Sequence, residues 1–330
     1  MCGVAFPHAI ALIECSSTAA KLIAITPTCH HPDQRERPMT ITIPGFDYQQ
    51  ISTADGVRLN VAVGGSGTPL VLLHGFPQTH LMWRHVATAL ASDHTVICPD
   101  LRGYGASDKP VEENPDTYSK RTMAADIVEV ARKLGHEKFA LVGHDRGALV
   151  AVRAGLDHPN VITQLGSLDV LPTLDMWDIL HGSNAAVAFH LYLMAQPPGL
   201  PEQMISASAD AFFEYFLDVW TQNREAIPVD VRAEYLRASR EAVPSIVADY
   251  RASAGIDIEH DQSDREAGNQ LHMPVTVVQQ DWGSMLGYDA EALWKAWAPD
   301  LEHRTLSAGH FMAEEAPAEV VEAIRTLLER

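Results

Sequence analysis

The sequence predicts an α/β protein, a mostly parallel sheet flanked by helices, with an all-helical cap inserted between two of its strands. Three observations predict it. Short unbroken apolar runs, such as Leu70-Val71-Leu72-Leu73 and Phe139-Ala140-Leu141-Val142, end at glycines, as strands buried on both faces do. Helical stretches alternate with these runs, the rhythm of βαβ units and a parallel sheet. Residues 172–272 then read as helical throughout, before Val275-Thr276-Val277-Val278-Gln279 resumes the sheet.

In chain order, Thr40-Ile41-Thr42-Ile43 alternates like a strand, and Val57–Val61 follows a turn at Asp55-Gly56. A second turn at Gly64–Gly67 leads into the strand Pro69–His74. Leu81–Ala91 is helical and Val96–Pro99 a strand. Met123–Leu134 is a helix stopped by Gly135, Phe139–Gly143 a strand, Ala148–His158 a helix, and Val161–Asp169 a strand. Leu301–Leu306 is the last strand and Ala318–Leu328 the last helix. The organisation is therefore a core of residues 41–171 and 273–330 with a helical cap at 172–272. A cap over the carboxyl ends of parallel strands covers the place where ligands bind in such sheets.

Residues 1–40 are read as an extension outside the fold. Met1–Pro27 is small and apolar with Glu14 and Lys21 as its charges, and no basic segment precedes the apolar stretch as an export signal requires. Residues 30–38 read as a polar linker. The net charge of −19 argues against nucleic acid or an anionic membrane as partner. The four cysteines (Cys2, Cys15, Cys29, Cys98) include no CxxC pair, and Cys98 falls in an apolar strand. This is neither a disulfide framework nor a metal cluster, and it fits a reducing, cytoplasmic setting. No metal or organic cofactor is implied. A homodimer is compatible with the sequence, which does not specify the oligomeric state.

The central chemical signal is Gly143-His144-Asp145-Arg146-Gly147, between a strand and a helix. It is the nucleophile-elbow pattern with aspartate where many hydrolases carry serine; the flanking glycines permit the tight turn that lifts residue 145 out of the sheet. His74-Gly75-Phe76-Pro77, after an early core strand, occupies the loop that supplies one oxyanion-hole N–H in this arrangement. The residue after the nucleophile supplies the other, which nominates the amides of Phe76 and Arg146. Gly309-His310-Phe311, after the last strand, places His310 where the general base belongs. The acid that orients it is Asp169 or Asp281, both topologically allowed, with Asp169 preferred because Asp281 can simply close its strand.

A carboxylate nucleophile does not suit ester hydrolysis, where attack would give an anhydride. It can displace a leaving group from a saturated carbon, forming an alkyl ester that His310 and water then hydrolyse. Organohalides and epoxides both fit. An epoxide needs a proton donor for its oxygen, usually tyrosine; a halocarboxylic acid needs a cation for its carboxylate. Arg146, beside the nucleophile, offers a guanidinium fork and tilts the choice toward halo acids, the alternative being a structural ion pair.

These residues resemble the haloacetate (fluoroacetate) dehalogenases of the α/β-hydrolase superfamily. The resemblance spans most of residues 44–320. It rests on the elbow, His-Gly-Phe-Pro-Gln-Thr-His at 74–80, Gly-Tyr-Gly-Ala-Ser-Asp at 103–108 and Leu-Asp-Val-Leu-Pro-Thr at 168–173. Ala-Gln-Pro at 195–197, Asp-Tyr-Arg-Ala at 249–252, Gly-His-Phe at 309–311 and Glu-Glu-Ala-Pro at 314–317 add to it. It implies Asp145 as nucleophile, His310 as base, Asp169 as its orienting acid, Arg146 on the substrate carboxylate, and His190 and Tyr250 as donors to the halide. Two positions depart from the family pattern: Leu149 stands where a second carboxylate-binding arginine is expected, and Leu191 where a tryptophan follows the halide-binding histidine. Both changes make the pocket more apolar. They predict a shifted preference, toward chloro- or bromo-acids, longer-chain acids or a less anionic substrate, with fluoroacetate disfavoured. Trp177 and Trp220 lie in the cap as candidates for the pocket wall or for cap core. The partners expected are a small halogenated acid and water, with an epoxide hydrolase of the same fold as the runner-up.

Overall fold

The computed structural model describes residues 41–330. The extension at 1–40, with Cys2, Cys15 and Cys29, lies outside the described residues. The eight strands are β1 (Asp47–Ser52), β2 (Arg58–Gly65), β3 (Thr68–Leu73), β4 (His94–Pro99), β5 (Phe139–His144), β6 (Ile162–Leu168), β7 (Val275–Gln279) and β8 (Leu301–Thr305). They form one sheet in the order β1-β2-β4-β3-β5-β6-β7-β8. β1 and β2 pair antiparallel, as do β2 and β4; every other pairing is parallel.

Every residue of β5 is buried, as a central parallel strand with helices on both sides requires. Alternate side chains feed two different cores. Val71, Leu73 and Leu141 join Met123, Ile127 and Val150 on one face, the side of helices α2 (Lys120–Lys133) and α3 (Arg146–Asp157). Leu70, Leu72 and Val142 join Val86, Leu90, Ile324 and Leu327 on the other, which packs α1 (Arg84–Leu90) and the C-terminal helix at Pro317–Leu328. Each such buried aliphatic side chain contributes roughly 1.5–3 kcal/mol, so the sheet is stabilised from both sides and holds rigid the strand ends that carry the site.

Of the strand expected at residues 40–43, Thr40 lies outside the described residues and Ile41–Ile43 are irregular. The first strand is instead β1, whose Asp-Tyr-Gln-Gln-Ile-Ser sequence buries only Ile51. An edge strand paired on one side can remain polar, and polarity there guards against edge-to-edge association. The other expected elements occur with shifted ends. Cys98 is a buried free thiol in β4.

Between β6 and β7 the chain is helical: α4 (Thr173–Ile179), α5 (Phe189–Met194), α6 (Leu200–Ala207), α7 (Ala209–Val219), α8 (Val229–Glu241), α9 (Val243–Ser253) and α10 (Ile256–Ala267), with short 3-10 turns among them. Leu191, Met194, Val243, Ile246 and Val247 merge with the core on the α3 face, so these helices pack directly onto the sheet unit. Among the described residues no helix is long and apolar enough to cross a membrane.

Candidate active site

The site is built at the carboxyl ends of β3, β5 and β6. After β5 the chain turns through Asp145 into α3 with Asp145 at φ +50, a left-handed conformation that a non-glycine residue adopts only under tertiary constraint. Gly147 permits the turn: a Cβ there would lie 2.4 Å from the His74 carbonyl oxygen and 2.6 Å from that of Leu73. A Cβ on Gly75 would lie 2.5 Å from the Asp145 Cβ, so the loop after β3 comes up against Asp145 only because residue 75 is glycine. That approach lets the Phe76 N–H donate to Asp145 Oδ1 at 2.7 Å. The Arg146 amide, expected as the second donor, is the first of α3, where an N–H has no intrahelical partner. No hydrogen bond from it to Asp145 is seen among the described residues.

His310 sits opposite. Its Nδ1–H donates to Asp169 Oδ2 at 2.7 Å, and its buried Nε2 has no hydrogen-bond partner and lies 3.9 Å from Asp145 Oδ2. Asp169 ends β6 with φ +55, so the two carboxylates of the set are the only non-glycine residues with positive φ among the described residues. Asp281, the other candidate, instead caps α11 (Trp282–Leu286) by accepting from the Ser284 N–H. Burial works against a protonated His310, but the hydrogen bond and charge of Asp169, then the charge of Asp145, outweigh it and raise its pKa above the ordinary 6.5.

Two groups that hold Asp169 carry no mark in the sequence. Gln280 donates its backbone N–H to Oδ1 at 2.9 Å and its side-chain amide to Oδ2 at 2.7 Å, and the Trp282 indole donates to Oδ2 at 3.2 Å. With His310 they saturate the carboxylate and fix its plane.

The cap contributes His190, Leu191, Trp220 and Tyr250, which line one cavity with Asp145, Arg146, Leu149 and His310. His190 is pushed down to about 3 by burial, so its imidazole is neutral, and its Nδ1 is buried without a partner. Burial raises the Tyr250 phenol well above its usual range, keeping it a proton donor. The Trp220 ring packs 4.8 Å from that of His310. Trp177 is not among the cavity-lining residues: its indole donates to the Ser253 carbonyl at 2.9 Å and its ring meets Tyr192, so it belongs to the cap interior.

Arg146 corrects the sequence expectation of an open fork. Its Nε and Nη2 donate to the two carboxylate oxygens of Asp249, each at 2.9 Å, and Nη2 also reaches the Asp249 carbonyl at 3.0 Å. An internal carboxylate therefore occupies the bidentate face, leaving Nη1, whose one contact is Ser253 Oγ at 3.4 Å. The guanidinium lies over the Tyr250 ring, 4.1 Å from its centre. The signal existed: Asp249 directly precedes Tyr250 in the motif that suggested the cap residues. No group of three or more metal-ligating side chains occurs among the described residues.

Comparison with known proteins places the fold. The family model for the alpha/beta hydrolase fold matches residues 68–317. The chain is 38% identical over 290 residues to a fluoroacetate dehalogenase from Burkholderia sp., covering 86% of this chain and 94% of that one. It is 32% identical over 275 residues to a soluble epoxide hydrolase from Corynebacterium sp. strain C12, covering 81% and 92%. The crystal structure of ALR0039 from Nostoc sp. PCC 7120 superimposes with a TM-score of 0.83 at 40% identity, over 87% of this chain and 99% of that one.

Proposed function

Since the chain belongs to the α/β-hydrolase family, we propose that it hydrolyses the carbon–halogen bond of 2-halocarboxylic acids through a covalent ester on Asp145. The observation that carries this reading is the placement of the two Asp145 oxygens: Oδ1 is held by the Phe76 amide, and Oδ2 is left facing the cavity and His310. A nucleophile that will later become an acyl centre needs that division.

In the first step Oδ2 attacks the carbon bearing the halogen, and the halide leaves with the bonding pair. Neutral His190 and the Tyr250 phenol are the donors available to solvate it in a buried pocket. Esterification then removes the charge of Asp145, one of the charges holding the His310 pKa up. His310 thereby keeps its neutral, proton-accepting form down to a lower pH when a base is needed. It takes a proton from water, the oxygen adds to the ester carbon, and the Phe76 N–H stabilises the oxyanion. Collapse expels the alkoxide, which takes the proton from His310 to give the 2-hydroxy acid, and Asp145 is restored as its carboxyl proton passes to solvent. Fluoride demands the strongest solvation of the halides; with Leu191 offering no N–H, fluoroacetate is expected to be the poorest haloacetate.

The test is the intact mass of His310→Ala after incubation with chloroacetate. Without its base the ester should accumulate, with a mass gain equal to the acid minus hydrogen chloride. One observation favours a second reading, epoxide hydrolysis: the Arg146 fork is filled by Asp249, while two neutral proton donors line the cavity with the nucleophile. The same variant treated with an epoxide would then gain the mass of the whole epoxide.

A pH prediction follows from His310. The base form is required, and the raised pKa means it is lost as pH falls through a value above 6.5. That holds for the free enzyme; in the ester, where the base acts, the Asp145 charge is gone, so the acid limb of kcat should lie below the pH at which His310 titrates in the free enzyme. Asp169→Asn removes the main raising influence and should move the limb downward while slowing turnover. An acid limb of kcat lying above the pH at which His310 titrates in the free enzyme would contradict this account.

A further inference from the structure

The cavity continues well past the reacting groups. Beyond Tyr250 and His310 its wall is Ile179, Leu180, Val187, Leu286 and Tyr288, drawn from the end of α4, the turn after it and the segment after β7. Ile179, Leu180 and Tyr288 are half-buried, with one side against the core, while Leu286 is half-buried and Val187 exposed. The backbone behind them is tied in place: the Asn184 amide donates to the carbonyls of both Ile179 and Leu286 at 3.2 Å, bridging the two walls, and the Tyr192 hydroxyl donates to the Leu180 carbonyl at 2.9 Å. At the inner end Leu149 and Leu191 add apolar surface. The lining offers a single cationic side chain, Arg146, already paired with Asp249.

We infer that this outer arm is a binding site for an apolar chain on the reacting carbon, so that the enzyme's preferred substrates are 2-halocarboxylic acids with alkyl side chains of several carbons. The inference rests on the halide-displacing reading above. One end of the molecule presents its halogen to His190 and Tyr250. The chain fills the arm and displaces water from otherwise wet leucine and isoleucine surface. Each methylene seated there should raise kcat/KM about three- to fourfold.

The comparison uses 2-bromopropanoate and 2-bromohexanoate, each enantiomer separately. Both react at a secondary carbon, so intrinsic reactivity is matched and the difference reports the chain. The expected result is at least tenfold higher kcat/KM for the hexanoate in the better enantiomer. Leu180→Trp, which fills the arm, should cut that ratio at least fivefold; Leu286→Trp from the opposite wall serves the same purpose should the first variant not fold. A hexanoate-to-propanoate ratio at or below one overturns the inference. So does a ratio that a folded arm-filling variant leaves unchanged. The failure of the underlying reading looks different: neither acid then adds mass to Asp145 in His310→Ala, whereas an adduct from the propanoate without hexanoate preference removes the arm alone.

Discussion

Asp145→Ala is expected to lower halide release by about 10⁴-fold or more, the scale of loss when a nucleophile acting within a catalytic unit is removed. Nothing else in the cavity can take over the attack. The other carboxylate, Asp169, has both oxygens occupied by His310, Gln280 and Trp282, and its position is that of an orienting group. Water attacking directly would lack the covalent intermediate that divides the reaction into two easier steps. Folding should be retained, because Asp145 contributes one partly exposed side chain, and alanine keeps the same positive-φ strain in the turn. The measurement is halide release at saturating substrate beside thermal melts of both proteins. Activity within tenfold of the parent in a folded variant would mean that the carboxylate assists water instead of attacking carbon.

Much of this arrangement could be read from the chain because it is local. The elbow glycines, the strand before them and the helix after them are contiguous, so Asp145 and Phe76 were identified by pattern. His310 was identifiable because its place after the last strand is fixed by topology. What could not be read is what depends on register between distant segments. Gln280 and Trp282 reach Asp169 across more than a hundred residues of cap, and no spacing announces that contact. β1 shows no strand-like pattern because an edge strand is free to be polar, while the alternating Ile41 and Ile43 form no strand. Arg146 is the instructive case. Its residue type and position are right for a substrate carboxylate, but the cap supplies a carboxylate of its own, and only the packing of α9 on α3 decides which anion the fork holds.

Asp249→Ala is expected to destabilise the folded protein by roughly 3–5 kcal/mol, the range for breaking a buried ion pair by removing one partner. Asp249 is fully buried and is the common partner of two cations, Arg146 from α3 and Lys120 from α2; it also accepts from the Tyr104 hydroxyl at 2.6 Å. Burial alone would raise its pKa, but Arg146 and then Lys120 hold it well below the usual carboxylate range. With a folded pKa below the unfolded one, its contribution is present above about pH 4 and is lost as pH falls further. Alanine would leave Arg146 without its bidentate partner, while Lys120 would keep only Asp257 at 3.5 Å. Asn at the same position separates stability from specificity. It preserves shape and one acceptor, so it should fold more readily than alanine, yet it releases the Arg146 charge toward the cavity. The KM for an anionic halo acid should then fall severalfold relative to its value in the parent enzyme, while kcat drops because the guanidinium no longer sits fixed over Tyr250. Denaturant midpoints for both variants at pH 7, with KM and kcat for one 2-bromo acid, decide the matter. Midpoints equal to the parent's would show that the cluster contributes no net stability. An unchanged KM in Asp249→Asn would show that the Arg146 fork stays turned away from substrate even when its partner is gone.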